Sequence, residues 1–168
     1  KAQFFDYLPK DGRQLGQLLE KLLAIFATYP IHEHNYGLIH YDIHHGNYFL
    51  TEPDNEIILF DFEMTSQSWY INEVTVVLFY MLHAVPVAEQ QAITDLFLSS
   101  FVAGYREVYP LEEQELAKIP LFLLYRDLLV YAFTFRMWGT DKVLTEHESK
   151  FRTKLSDSID RRRIGLNM

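Results

Sequence analysis

The chain has 168 residues, 49% of them hydrophobic, and reads as a single domain over residues 1–168, because that length buries roughly two-thirds of its unfolded surface around one core. It holds no cysteine, which excludes a disulfide framework, a thiolate metal site and a nucleophilic thiol, and suits a reducing, cytoplasmic setting. A formal net charge of −8 argues against a nucleic-acid partner, whose binding runs on cationic contacts, and is compatible with a cationic substrate.

Leu15, Leu18, Leu19, Leu22, Leu23 and Phe26 recur at helical spacing, so a helix is expected over residues 13–29, ended by Pro30. Ahead of it, Gly12 and Gly16 sit in Lys10–Gly16, which reads as a turn into that helix. Three short strands follow at Tyr36–His40, Tyr48–Thr51 and Glu56–Phe60, with Glu52-Pro53-Asp54-Asn55 as the turn between the last two. The rest is helical: Ile71–Val85 halted by Pro86, Glu89–Glu107, Leu121–Trp138 after Pro120, and a last helix near Glu146–Arg161. Gly139 is placed to cap the third of these. The apolar run Leu121–Trp138 carries Arg126, Asp127 and Arg136, and three such charges in lipid cost about 2.5–3.5 kcal/mol each. A buried core helix is therefore expected there, and no membrane association.

The chemistry concentrates between residues 40 and 63. Asp42 and Asn47 lie five apart in His40-Tyr41-Asp42-Ile43-His44-His45-Gly46-Asn47, and Asp61 ends the Ile-Ile-Leu-Phe strand before Phe62 and Glu63. Phosphoryl-transfer enzymes use this order: an Asp accepts the proton of the attacking hydroxyl, and an Asn and a second Asp hold magnesium. Hard oxygen ligands in small number suit Mg2+, which keeps several waters and takes the remaining oxygens from phosphate. The bland reading makes Asp42 and Asn47 turn residues and Asp61 a helix cap. All three falling into this register by accident is the weaker explanation.

Gly37–Asn47 resembles the catalytic loop of the aminoglycoside phosphotransferase family, which includes choline-kinase-like and homoserine-kinase-like enzymes. Leu59-Phe60-Asp61-Phe62-Glu63 resembles that family's metal-binding segment, and Trp69–Val74 resembles the stretch that opens its next helix. The resemblance implies an α+β, mostly α-helical fold: the C-terminal lobe of a protein-kinase-like fold, with a small β-hairpin region carrying the catalytic loop. It implies an ATP-dependent phosphotransferase acting on a small-molecule hydroxyl such as an aminoglycoside, choline or homoserine, with ATP and Mg2+ as cofactors. Asp42 and His44 are then the catalytic residues and Asn47 and Asp61 the metal ligands. His40 and Glu73 would support the catalytic loop, and Glu63 is a candidate substrate or metal contact, or equally a helix-capping carboxylate. Tyr41 stands where the family usually has Gly, and Glu73 where it usually has Asp. A carboxylate opening that helix is expected to accept hydrogen bonds from the backbone of residues 40–42.

The family resembled carries a nucleotide-holding lobe ahead of this region. The residues before His40 contain no glycine-rich phosphate loop and no lysine-bearing strand paired with a helical Glu. The expectation is thus the catalytic lobe of a longer kinase, with its N-terminal lobe absent here, and an isolated chain that transfers phosphate poorly or not at all. One other reading stays open, a non-catalytic kinase-like scaffold or regulatory module; a metal-dependent hydrolase using the same carboxylates lacks the dense His/Asp ligand set that two-metal sites need. His32, His34, His40, His44 and His45 crowd together without zinc-ligand spacing. Arg126 and Arg136 are expected to pair with surface carboxylates, and Arg161–Arg163 to form a solvated helix end.

Overall fold

Local propensity and the two apolar periods decide most of the architecture seen in the structure, a computed structural model describing Leu8, residues 12–140 and residues 143–168. The Lys10–Asp11 part of the expected turn lies outside the described residues. The elements run α1 (Arg13–Phe26), β1 (Tyr36–Ile39), β2 (Tyr48–Leu50), β3 (Ile57–Leu59), a 3-10 turn at Phe62–Met64 and β4 (Ser66–Trp69). They continue with α2 (Tyr70–Ala84), α3 (Gln90–Val108), the single turn α4 (Glu113–Leu116), α5 (Ile119–Trp138) and α6 (Glu146–Gly165). The chain divides into two compact units, one of residues 31–119 and one joining the residues up to Pro30 with those from Pro120 onward.

In the unit of residues 31–119, β1 pairs antiparallel with β4, Tyr36 opposite Trp69 and Ile39 opposite Ser66. Separately, β2 pairs antiparallel with β3, Tyr48 opposite Leu59. The strand Ser66–Trp69 was not expected, because Ser-Gln-Ser has no apolar alternation. Pairing with β1 supplies what propensity does not. Helix α2 packs on β1, β4 and α3, and buries Ile71, Val74, Val76, Leu78, Phe79 and Leu82. It ends at Ala84 because Val85, preceding Pro86, is extended at φ −116°, ψ 160°. Gly37 is needed in β1: a Cβ there would meet the Tyr70 hydroxyl and lie 3.0 Å from two of its ring carbons.

In the other unit, α1 buries Leu18, Leu19, Leu22 and Phe26, and Phe26 stacks on Phe122 of α5 with ring centroids 4.5 Å apart. Helix α1 stops at Phe26, three residues short of expectation. Its last turn unwinds through amides of Thr28 and Tyr29 bonded to Ile25 and Phe26 carbonyls ahead of Pro30. Two charged positions differ from their expected places. Arg126 is buried, and α6 runs on to Gly165 with Arg162 inside it. Arg162 Nε donates to Oδ2 of the fully buried Asp127 at 2.7 Å, beside the Ser158 hydroxyl at the same distance. Arg162 is therefore not a solvated end: a carboxylate with no water around it needs both donors. At the start of α6, Thr145 and Glu148 cap each other's backbone amides reciprocally. No helix among the described residues is long and apolar enough to cross a membrane.

Candidate active site

The loop between β1 and β2 is anchored at its start by a carboxylate from α2. Glu73 Oε1 accepts the His40 amide at 2.6 Å and Oε2 accepts the Tyr41 amide at 2.8 Å. Both oxygens are thus spent on backbone donors. Glu73 stands in the first turn of α2, where the positive end of the helix dipole also favours a carboxylate. Nearby, burial first, then Tyr109, Tyr70 and the Glu73 charge, push the Tyr105 hydroxyl above its ordinary range.

The two anchored amides hold Tyr41 at φ +70°, a left-handed conformation that costs a residue with a Cβ roughly 1–2 kcal/mol. That geometry accounts physically for a glycine-preferring position, and here a tyrosine sustains it because the peptides on both sides are bonded, its own amide to Glu73 and the Asp42 amide to His40 Nδ1.

His40 then ties the loop to the exit of β3. Its Nδ1 accepts the Asp42 amide at 3.3 Å, which leaves the proton of the neutral ring on Nε2, and Nε2 donates to the Phe60 carbonyl at 2.9 Å. The Phe60 amide in turn donates to the Asn47 carbonyl at 3.1 Å. One residue, Phe60, is therefore clamped by the loop on both its N–H and its C=O. The next residue is Asp61, itself at φ +65° and exposed, so it leaves the clamped Phe60 through a sharp left-handed turn.

Asn47 is buried, and its Nδ2 donates to the Asp42 carbonyl at 3.0 Å with Asp42 Oδ2 at 3.5 Å. This spends the amide nitrogen on Asp42 and leaves Oδ1 as the acceptor of the side chain, the atom type a hard cation prefers. A carboxylate and an amide oxygen fit magnesium held largely by water and phosphate. Among the described residues no group of three or more His, Cys, Asp or Glu side chains is arranged for a metal.

Asp42 is held by its side chain as well. Oδ1 accepts the Tyr80 hydroxyl at 2.8 Å, and Oδ2 lies 3.7 Å from His44 Nε2, both side chains being about a quarter exposed. The Gly46 amide donates to His44 Nδ1 at 3.0 Å, so the neutral His44 carries its proton on Nε2, facing Asp42. Gly46 has to be glycine for this: a Cβ would fall 2.8 Å from His44 Cε1 and 3.1 Å from Nδ1.

His40, Asp42, Asn47 and Glu73 are thus joined in one hydrogen-bonded set, which His44 enters through its carbonyl, accepting the Asn47 amide at 2.8 Å. Asp61 follows directly on Phe60, which the set holds. Glu63 is exposed on the 3-10 turn after Asp61, and His45 is exposed too. Tyr80 was missed in the sequence. The available signal was its place seven residues after Glu73 on one helix, hence on the same face two turns further along.

Comparison with known proteins gives this geometry its relatives. Residues 2–111 match the model of the phosphotransferase enzyme family. Amicoumacin kinase of Bacillus subtilis (strain 168) is 31% identical over 144 residues, covering 84% of this chain and 42% of its own. The solved structure of the amicoumacin kinase hAmiN in complex with AMP-PNP, Ca2+ and Ami superposes with a TM-score of 0.84 at 29% identity, covering 96% of this chain and 48% of that one. A microcompartment-associated aminopropanol kinase shares the fold, with a TM-score of 0.66 at 23% identity over 94% of this chain and 46% of its own. The chain spans less than half the length of these relatives. Its fold is mostly helical with small antiparallel sheets, that of a kinase-like C-terminal lobe. The chain belongs to the phosphotransferase enzyme family.

Proposed function

We propose that this chain is the catalytic lobe of an ATP- and Mg2+-dependent kinase that phosphorylates the hydroxyl of an amine-bearing small molecule. The observation that carries this reading is the double clamp on Phe60, which ties the residue before Asp61 to His40 and Asn47 at the two ends of the loop. A scaffold has no need of that tie beside a loop that carries Asp42 and a buried Asn47.

In this reading Asp42 orients the acceptor hydroxyl and takes its proton, and His44 Nε2–H supports the transferring phosphoryl. Asn47 Oδ1 and Asp61 hold magnesium, which neutralises charge on the phosphate oxygens when bound. Catalysis of this kind is mostly positioning and electrostatics. His40 and Glu73 act on backbone alone, by holding the loop. Glu63 is left as a candidate contact to substrate.

The reading includes a second, nucleotide-holding lobe. Supporting it are the fraction of each relative that the chain spans and an exposed apolar strip over the β2–β3 hairpin: Phe49, Leu50, Ile57, Ile58 and Phe60. Such strips normally meet another protein surface. The substrate proposal rests on the amicoumacin kinase relatives and on the net charge of −8, which favours a cationic acceptor.

The test is an ADP-release screen of the full-length protein with Mg-ATP against amicoumacin, aminoglycosides, choline, homoserine and thioribose. Acceptor-dependent ADP release is expected with at least one amine-bearing hydroxyl. Asp61→Asn should raise the Mg2+ needed for half-maximal rate by about tenfold or more. An unchanged Mg2+ dependence in Asp61→Asn would remove that residue from the metal site.

A further inference from the structure

Tyr80 lies outside the sequence pattern that points to phosphoryl transfer, yet it touches both groups placed at the reacting centre. Its hydroxyl donates to Asp42 Oδ1 at 2.8 Å. Its ring lies 4.6 Å from the His44 ring, centroid to centroid, inclined at 51°. The residue is half-buried on α2, and the ring of fully buried Phe79 meets it edge-on at 5.3 Å. A tyrosine on a rigid helix, braced from behind by a core aromatic, is a fixed donor rather than a wandering one.

The contacts divide the carboxylate of Asp42 into two unlike oxygens. Oδ1 receives a short bond from a neutral phenol, whereas Oδ2 faces His44 Nε2 at 3.7 Å and Asn47 Nδ2 at 3.5 Å. Oδ2 is on the side of the groups assigned to phosphate and metal. The phenol bond fixes the plane of the carboxylate: a partial turn about its own bond would break that bond, while a full flip only exchanges two equivalent oxygens. One oxygen therefore always faces Tyr80 and the other, here Oδ2, faces His44 and Asn47. The same ring limits how far the His44 imidazole can swing away. From the other side Gly46 holds that imidazole through its amide.

We propose that Tyr80 is a positioning residue for the base: its phenol fixes Asp42 so that Oδ2 faces the acceptor hydroxyl, while its ring braces His44. The proposal rests on the kinase reading above. It assigns Tyr80 no proton transfer and no contact with substrate.

Steady-state kinetics of the full-length protein, with Mg-ATP and an acceptor that supports turnover, test it. Tyr80→Phe keeps the ring and removes the donor; kcat should fall about tenfold, as expected for losing one hydrogen bond to a charged group. KM for ATP and for the acceptor should stay within about twofold, since neither is touched. In an Asp42→Asn background the same change should cost little or nothing further, because the two residues act as one unit. Tyr80→4-aminophenylalanine, which restores a donor on the ring, should recover most of the lost rate.

Three results would overturn the proposal: kcat of Tyr80→Phe within twofold of the parent, a raised acceptor KM at unchanged kcat, or an equal loss in the Asp42→Asn background. An Asp42→Asn enzyme with undiminished turnover is a different outcome, and it would overturn the kinase reading on which the proposal stands.

Discussion

Asp42→Asn is expected to lower the turnover of the full-length protein by roughly 10²–10⁴-fold, the range for loss of a general base. Asparagine keeps the size of the side chain, and its oxygen can still accept the Tyr80 hydroxyl that now bonds Oδ1 at 2.8 Å. Its amide nitrogen, however, would meet two donors, Asn47 Nδ2 and His44 Nε2, on the Oδ2 side. The variant therefore removes the proton acceptor and also weakens the set that orients it. ATP affinity should change little, since Asp42 is given no part in holding the nucleotide. The measurement is kcat, KM and a nucleotide titration on the same preparation, with a thermal melt to show that the variant is folded. A rate within a few-fold of the parent would exclude Asp42 as the base.

The second large effect is expected at Glu73. Its two oxygens accept two backbone amides, at 2.6 and 2.8 Å, from residues 40 and 41. Glu73→Gln leaves one acceptor and turns an N–H2 group toward the other amide. One donor at a buried loop end is then unsatisfied, and the left-handed turn at Tyr41 loses a bond that sustains it. The cost should be about 1–3 kcal/mol of stability, read from chemical denaturation. Turnover should fall as well, because Asp42 follows directly on the loosened peptide. An unchanged denaturation midpoint with full activity would mean that the loop holds itself without the carboxylate.

The candidate site was legible from residue order because most of its residues lie close together in the chain. Asp42, His44 and Asn47 share one loop, and Asp61 follows a strand whose β-branched run and preceding turn are plain in the sequence. The amides that Glu73 accepts were also foreseeable, since a carboxylate opening a helix next to a tight loop needs donors. Other features depend on what folding brings together. Ser66–Trp69 becomes a strand only because β1 offers it a partner. Arg162 reads as a solvated helix end until Asp127, thirty-five residues away in sequence, turns out to be buried beside it. Tyr80 sits in a helix so apolar that a tyrosine there looks like core; its hydroxyl gains meaning only once the loop lies over that face. The Phe60 clamp is made mainly of backbone, and backbone leaves no mark on residue type.

The central claim is that this site moves a phosphoryl group from ATP to an alcohol. The most direct measurement is a 31P NMR time course of the full-length protein with Mg-ATP and amicoumacin or whichever amine-bearing acceptor supports ADP release. A new phosphomonoester signal should grow as the γ-phosphate signal of ATP declines, and it should be absent from the Asp42→Asn sample. Growth of inorganic phosphate alone would make the protein a hydrolase. An unchanged ATP spectrum with every acceptor, in protein that binds Mg-ATP, would contradict the account and leave a nucleotide-binding scaffold in its place.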